Sequence, residues 1–249
     1  MGISTEYEWA LKLKPNRISS FTVQGGKIKI KLTDKTFLPH PDSLLLANSI
    51  KIKNGETAID LGLGSGILAI SAAKLGASKV YGTDLNRKAV ENSKENSVIN
   101  KIAQKCNFKY GSWFNPFQNK KFDVIIFNPP QIPGKGNEEQ YFRKATEASN
   151  DGTEPTISIL NQSKNHLNSN GRIYFVLKEW MDWKKVISEI KKTYSFKVLG
   201  YTYSKVWSHD KNRLKSIENL VQAKKARYVL LKNNKYYKIY ACECRIKRQ

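Results

Sequence analysis

The sequence predicts an α/β protein built on a doubly wound, mostly parallel sheet. Residues 57–66 carry an apolar run that ends in Asp60 and then breaks into three alternating glycines. Residues 67–76 follow a helical pattern, and residues 80–84 read as a second strand that again ends in a carboxylate. A strand, a glycine-rich turn, a helix and a second strand form half of a nucleotide-binding unit, in which glycines permit a tight turn and close contact with a ligand.

Two kinds of cofactor fit this pattern, and the position of Asp60 separates them. Residues 64–69 match the dinucleotide fingerprint G-x-G-x-x-A, and Asp84 lies at the spacing of a ribose-binding carboxylate. However, a carboxylate two residues before Gly62 would repel a pyrophosphate that the helix N-terminus otherwise attracts. It suits a ligand with a cationic end and no phosphate, such as S-adenosylmethionine. An NAD-dependent oxidoreductase is the weaker alternative.

The pattern Asp60-x-Gly62-x-Gly64-x-Gly66 resembles the first motif of class I S-adenosylmethionine-dependent methyltransferases. The resemblance implies a seven-stranded Rossmann-like methyltransferase sheet with an antiparallel end. In the family, the residue at Ser112 is usually acidic and accepts a hydrogen bond from adenine, and Trp113 beside it could offer an apolar face. The implied cofactor-binding residues are Asp60, Gly62, Gly64, Gly66, Asp84, Leu85, Ser112, Trp113 and Asn128.

A second motif follows the buried strand predicted over residues 121–127. Asn128 and two prolines stop this strand, because proline cannot continue a sheet ladder. The prolines hold the Asn128 amide and the Pro129 carbonyl at the edge where ligands of open α/β sheets bind. Two acceptors at this edge can grip an NH2 group and orient its nitrogen toward a methyl donor.

The sequence Asn128-Pro129-Pro130-Gln131 resembles the (Asn/Asp/Ser)-Pro-Pro-(aromatic) motif of amino-group methyltransferases. The resemblance implies that Asn128, Pro129, Pro130 and Gln131 form the catalytic segment. Gln131 replaces the usual aromatic residue, so an aromatic wall would come from Tyr141, Phe142 or Trp113 instead.

Residues 37–200 are similar to the HemK-type protein-glutamine methyltransferases that act on peptide release factors, while residues 65–90 equally resemble ribosomal-protein methyltransferases. We therefore expect an N-methyltransferase that acts on a macromolecule, in first place on a glutamine side chain of a translation-related protein. An exocyclic amine of rRNA or tRNA is the alternative substrate.

Residues 37–43 predict a rigid entry into a helix over residues 44–51, capped by Asp42 or Ser43. His40 is interpreted as structural.

Charge is the strongest feature of the composition. The chain has 43 Lys and Arg side chains against 21 Asp and Glu, a formal net charge of +22. Residues 181–249 carry 18 basic and 5 acidic side chains, a net of +13. Such a field attracts polyanions, most obviously RNA, although a basic surface also aids solubility. A basic RNA-binding protein with a vestigial cofactor fold is the rival outside enzymes.

The chain of 249 residues suits one α/β domain with appendages. We predict an N-terminal hairpin appendage over residues 1–36, with a turn at Gly25 and Gly26, and a methyltransferase domain with a basic extension over residues 37–249. Three cysteines form no disulfide framework, and no His/Cys cluster predicts a metal. No apolar run reaches the roughly 20 residues of a membrane span, and the first residues lack a secretory signal. The expected location is the cytoplasm.

Overall fold

The structure is a computed structural model. It describes residues 16–36, 38–134, 148–205, 211–231 and 234–247. Tyr141 and Phe142, two of the aromatic side chains predicted to line the site, lie outside the described residues.

Strands and helices alternate through the centre of the chain. The strands are Ile18–Val23 (β1), Gly26–Lys31 (β2), Thr57–Leu61 (β3), Lys79–Asp84 (β4), Cys106–Tyr110 (β5), Phe122–Phe127 (β6), Leu167–Lys178 (β7), Tyr194–Lys205 (β8), Val229–Leu231 (β9) and Asn234–Ile246 (β10). The helices are Pro41–Ala47 (α1), Ile67–Lys74 (α2), Arg87–Ile99 (α3), Glu154–His166 (α4), Trp183–Thr193 (α5) and Lys211–Gln222 (α6).

The central sheet has the strand order β5-β4-β3-β6-β7-β10-β8, and the short β9 pairs with β10. Strands β3 to β7 run parallel, whereas β10 is antiparallel to β7, β8 and β9. The predicted doubly wound sheet with an antiparallel end is therefore confirmed. The strand order reverses between β3 and β6, and ligands of such sheets bind at this switch point, beyond the carboxyl ends of the strands.

Helix α2 lies against the sheet directly after the glycine turn, and its first seven residues, 67–73, are buried. Gly66 begins the helix with a φ of 79°, a conformation that side chains with a Cβ rarely adopt. A Cβ at this position would approach the Cβ of Ser93 in α3 to 2.9 Å. Glycine is therefore needed at residue 66 both for the turn and for the packing of α3.

The N-terminal hairpin, β1 and β2, packs on the core through Ile28, Ile30 and Leu32, all of which are fully buried. Its two-residue turn lies at residues 24–25, one position before the predicted one, and Gly26 already begins β2. The division of domains at residue 36 stays a prediction.

Two asparagines of α3 also hold the hairpin. Asn100 accepts from the Lys29 N–H at 3.0 Å and donates to the Lys29 carbonyl at 2.6 Å. Asn96 makes the same pair of bonds with Lys31, at 2.7 and 3.3 Å. These side-chain amides satisfy backbone groups of β2 as a neighbouring strand would.

Helix α1 corrects one prediction. It covers residues 41–47 rather than 44–51, and the residue that precedes it, His40, makes no side-chain capping bond. Asp42 and Ser43 are buried inside the first turn, so they do not cap the helix from outside it. Both side chains face the candidate site described below.

Three general findings concern the described residues alone. No helix among them is long and apolar enough to cross a membrane. No group of three or more His, Cys, Asp and Glu side chains within them could hold a metal ion. The three cysteines are free, and Cys242 and Cys244 are buried as packing residues of β10.

Candidate active site

The glycine turn after β3 is open to a ligand. Gly62, Gly64 and Gly66 have φ values of 89°, 52° and 79°, so each adopts a left-handed conformation that favours glycine. A Cβ added at Gly62 would meet no heavy atom within 4 Å. The backbone of the turn therefore faces open space that a ligand could enter.

Asp60 lies in β3 directly beneath this turn and is fully buried. Its Oδ2 accepts a hydrogen bond from the Ala69 N–H at 3.0 Å, at the start of α2. Its Oδ1 is buried and has no partner among the described residues. Burial raises the pKa of the Asp60 carboxyl well above its usual value, against the effect of the bond from Ala69. A buried carboxylate oxygen without a donor would be stabilised by a cationic ligand.

Asp84 ends the neighbouring strand β4 and faces the same turn. Its Oδ2 accepts from the Gly64 N–H at 2.9 Å, and its Oδ1 accepts from the Asn86 N–H at 2.8 Å. Burial raises the pKa of this carboxyl as well, although these two bonds oppose it. Leu85 beside it is 62% exposed, so its side chain is available at the surface of the site.

The loop after β5 lies next to Asp84. The Gly111 N–H donates to the Asp84 carbonyl at 3.0 Å, and the Thr83 hydroxyl donates to the Trp113 carbonyl at 2.7 Å. Ser112 and Trp113, which follow Gly111, are both half-buried, and Trp113 has a positive φ of 41°. The structure thus brings the predicted adenine-side residues to the same sheet edge as Asp84.

Asn128 follows β6 at the same edge, where β6 pairs with β3. Its Nδ2 lies 3.4 Å from the Ser43 hydroxyl, to which it donates. Its Oδ1 is buried and accepts no hydrogen bond from any described residue. Pro129 is buried and Pro130 half-buried, so the two prolines hold the Asn128 backbone against the sheet.

Gln131 lies against the sheet and away from open space. It is 1% exposed, and its Nε2 donates to the Val176 carbonyl of β7 at 2.9 Å. Its own carbonyl closely approaches Gly152, where a Cβ would lie 2.7 Å away. This side chain joins the loop to β7, and its catalytic assignment stays a prediction.

A buried ion pair lies beside Asn128. Lys178 ends β7, and its Nζ lies 2.8 Å from the Asp42 Oδ2, with the two side chains 11% and 6% exposed. Burial would raise the pKa of Asp42, but Lys178 and His40 lower it to about 2. Burial lowers the pKa of His40, and Lys178 adds to this effect against the pull of Asp42.

Lys178 was not among the residues that the sequence predicted for the site. Its signal in the sequence is a single cation that ends an otherwise apolar strand, residues 173–177. A charge is rarely buried without a partner, so this position called for an anion elsewhere in the chain. The sequence contains no local hint that the anion is Asp42.

This arrangement is typical of proteins that bind a nucleoside cofactor on a doubly wound sheet. It combines an open glycine turn with two carboxylates at the carboxyl edge of the parallel strands. Residues 43–129 match a family model described as Ribosomal protein L11 methyltransferase (PrmA). A provisionally named protein N5-glutamine methyltransferase of Methanocaldococcus jannaschii is 33% identical over 167 residues, which cover 66% of this chain and 83% of that protein.

Other relatives match a smaller share of their own length. A release factor glutamine methyltransferase of Aliivibrio fischeri is 32% identical over 155 residues, which cover 58% of this chain and 54% of that protein. The chain thus spans about half of this relative. A solved structure of a provisionally named methyltransferase complexed with S-adenosylhomocysteine is 17% identical, with a TM-score of 0.58, and the match covers 93% of this chain and 57% of that one. That likeness concerns the fold alone.

The chain belongs to the family of the Methanocaldococcus jannaschii N5-glutamine methyltransferase, and it is an S-adenosylmethionine-dependent methyltransferase. The predicted enzyme class and cofactor are confirmed. The NAD-dependent oxidoreductase and the vestigial RNA-binding protein are set aside by the same finding.

Proposed function

We propose that this enzyme methylates the side-chain nitrogen of a glutamine in a protein of the translation machinery. Relatives named for N5-glutamine and release factor glutamine methylation support this substrate class. The observation that carries the proposal is Asn128 Oδ1, a buried acceptor without a donor at the carboxyl edge of the sheet. Leaving such an acceptor unpaired costs about 1–3 kcal/mol, which a substrate NH2 group would recover.

The cofactor side of the site fits S-adenosylmethionine. The unpartnered Oδ1 of Asp60 suits the ammonium group, and the open face of Gly62 lets the ligand approach the backbone. Asp84 suits the ribose hydroxyls. Each of its oxygens accepts one N–H bond from the turn, which fixes the carboxylate, and each can accept a further bond from a hydroxyl. Ser112 and Trp113 would lie on the adenine side, where a hydroxyl replaces the family's usual carboxylate.

The substrate side would rely on orientation. Asn128 Oδ1 and the Pro129 carbonyl would each accept one N–H of the glutamine amide, which holds the nitrogen in one direction and increases its electron density. When bound, S-adenosylmethionine would supply a methyl group to the nitrogen and leave as a neutral thioether, and the nitrogen would release one N–H proton to water. An amide nitrogen is a poor nucleophile, so orientation by the protein carries much of the rate.

The test is Asn128→Ala, measured as transfer of radioactive methyl from S-adenosylmethionine into the proteins of a fractionated lysate. We expect turnover to fall at least about tenfold, since one substrate acceptor is lost, and hydrolysed protein to contain N5-methylglutamine only with the active enzyme. S-adenosylhomocysteine affinity, measured by calorimetry, should stay unchanged. Asn161→Ala on the exposed side of α4 is the matched control. Unchanged turnover in Asn128→Ala would refute the proposal.

An exocyclic amine of RNA is the second candidate substrate, and one surface favours it. Tyr201 on β8 is 51% exposed, and the Lys238 ammonium lies 4.9 Å from its ring and 5.5 Å from that of Tyr203. Lys238 also pairs with the backbone of Glu179, directly after Lys178, so this surface adjoins the site. Exposed aromatic rings beside cations suit stacked bases and phosphates.

Nuclease treatment separates the two substrates. If the methyl acceptor is protein, label incorporation should survive nuclease and disappear with protease. The RNA candidate requires the opposite result, with label in nuclease-sensitive material and weaker incorporation by Tyr201→Ala.

A further inference from the structure

We propose that Asp42 and Lys178 position Asn128 by deciding which end of its side-chain amide faces the substrate. The proposal rests on the function proposed above, because it assigns the means by which Asn128 Oδ1 is kept available. Neither residue needs to touch the substrate, so both are positioning residues.

The hydrogen bonds form a chain with one direction. The Asn128 Nδ2 donates to the Ser43 hydroxyl at 3.4 Å, and that hydroxyl in turn donates to Asp42 Oδ1 at 3.4 Å. Asp42 Oδ1 also accepts from the Ser43 N–H at 2.7 Å, while Oδ2 accepts from Lys178. Each group donates toward Asp42, and the chain leaves Oδ1 of Asn128 at its far end without a donor.

The direction follows from the chemistry of the groups. The two ends of an asparagine amide are almost equal in size, so hydrogen bonds rather than packing select its orientation. An ionised carboxylate can only accept, so it compels the Ser43 hydroxyl to donate to it and to accept from Asn128. If Asp42 became a donor, Ser43 could donate to Asn128 instead, and the amide would present its NH2 group to the substrate.

The charges around Asp42 keep it an acceptor. The groups that lower its pKa are Lys178 from β7, His40 from the entry to α1 and the Asn128 side-chain amide, which also donates toward the carboxylate. Lys178 offsets the cost of burying the carboxylate, and the pKa of about 2 keeps Asp42 ionised throughout the physiological range. A buried ion pair adds little to stability by comparison with an apolar pair of similar volume, which is consistent with a role in orientation.

The first test is Lys178→Met. Without the ammonium, burial raises the pKa of Asp42, so a fraction of the enzyme holds a protonated, donating Asp42. We expect kcat to fall about 10- to 100-fold at low pH and to recover as pH rises, with little change in S-adenosylhomocysteine affinity. Lys178→Arg should restore the flat pH profile. Both pH profiles are measured in a His40→Gln background, so that titration of His40 does not contribute.

Asp42→Asn tests the direction of the chain without a titrating group. The introduced amide would turn its oxygen toward Lys178 and its NH2 group toward Ser43, so kcat should fall by a similar factor at every pH. The double variant Asp42→Asn with Lys178→Met buries no charge, so it should fold even if Lys178→Met does not. With no cation to attract it, the amide oxygen can again accept from the Ser43 N–H, so in the His40→Gln background this variant should be faster than Asp42→Asn and independent of pH.

Two outcomes separate this inference from the proposed function. If Asn128→Ala retains full turnover, the proposed function fails and the positioning role fails with it. If Asn128→Ala is inactive while folded Asp42→Asn is fully active, or the double variant is slower than Asp42→Asn, the positioning role alone is overturned. A loss of kcat in folded Lys178→Met that is equal at all pH values would also overturn it.

Discussion

Carboxylates lie in different environments at the two ends of the parallel strands, which we call the amino edge and the carboxyl edge of the central sheet. At the amino edge, carboxylates next to the starts of β3 and β6 are fully paired. At the carboxyl edge, burial raises the pKa of Asp60 in β3 and of the half-buried Asp84 that ends β4. Strand β3 takes part in both edges, so the difference comes from what surrounds each edge.

At the amino edge, Glu56 is held by Arg172, whose Nη1 lies 2.8 Å from Oε1. Asp123 accepts from the Thr57 N–H at 2.8 Å and from Asn168 at 2.7 Å. The hydrogen bond from Arg172 lowers the pKa of Glu56. Burial acts to raise the pKa of Asp123, but its hydrogen bonds lower it overall.

At the carboxyl edge, the fold supplies Asp60 with one donor and leaves the second oxygen unpaired. A group in this state weakens the folded protein unless a ligand completes it. The chain's own donors therefore complete the carboxylates of the amino edge, whereas we propose that a bound cofactor completes Asp60 at the carboxyl edge. Substitutions at the two edges should accordingly have opposite signatures.

The largest effect is expected at the amino edge, from Arg172→Met. Arg172 is 3% exposed, and its loss leaves Glu56 without its main partner. Urea denaturation should show the free energy of unfolding reduced by about 3 kcal/mol. S-adenosylhomocysteine affinity of the folded variant should stay unchanged, and a loss of affinity would break the division between the edges. Lys164→Met, at an exposed position of α4, is the control.

Asp60→Asn should have the opposite signature. We expect S-adenosylhomocysteine affinity to fall about 10- to 100-fold, because a neutral amide attracts the ammonium group less than a carboxylate does. The free energy of unfolding at neutral pH should rise, since no charge is then buried without a full set of partners. Calorimetry and urea denaturation measure the two effects.

Asp123→Asn provides the matched control for Asp60→Asn at the other edge. It should reduce stability and leave affinity unchanged, because Asp123 is stabilised in its ionised form. Equal changes in the two variants would contradict the comparison.

The pH dependence of ligand binding should be somewhat weaker than the effect of removing Asp60. The folded-state pKa of Asp60 lies well above 3.8, so the carboxyl of the free enzyme loses its proton only as pH rises through that raised value. Affinity for S-adenosylhomocysteine should therefore increase as pH rises through this window. The stability of the ligand-free protein should decrease over the same window, because the folded state binds more protons than the unfolded one. Calorimetric titrations across pH measure the first trend, and Asp60→Asn should flatten it.

The smallest effect is expected away from both edges, in the hairpin. Asn100→Ala removes two bonds from a buried side chain to the backbone of the exposed Lys29, so we expect a loss of about 1 kcal/mol in the free energy of unfolding. Hydrogen exchange should show faster exchange of the Lys29 amide, while S-adenosylhomocysteine affinity stays unchanged. Slow exchange at Lys29 in the variant would mean that the apolar contacts of the hairpin suffice.

The amino-acid sequence alone predicted the α/β fold and the glycine turn, which the structure confirms, and it predicted Asp60 and Asp84 as cofactor-binding residues. These features could be predicted because they are local. Alternating glycines indicate a tight turn, and the apolar pattern of a strand shows where the strand ends and which residue ends it. The end of β6 at Asn128-Pro129-Pro130 could also be predicted from local sequence, because proline cannot continue the hydrogen bonds of a sheet.

The contacts between residues far apart in the sequence became clear from the folded structure alone. Asp42 and Lys178 are far apart in the sequence. Asp42 was predicted to cap a helix, whereas the fold places it beside β7, where it pairs with Lys178. Gln131 was predicted within the catalytic segment in place of the usual aromatic residue, and the fold brings its side-chain amide to the Val176 carbonyl of β7. The sequence did not predict that Asn96 and Asn100 of α3 would bond the backbone of the hairpin. The physical reason is common to all three: a polar side chain has several equally good partners in local sequence, and burial in the folded core selects among them.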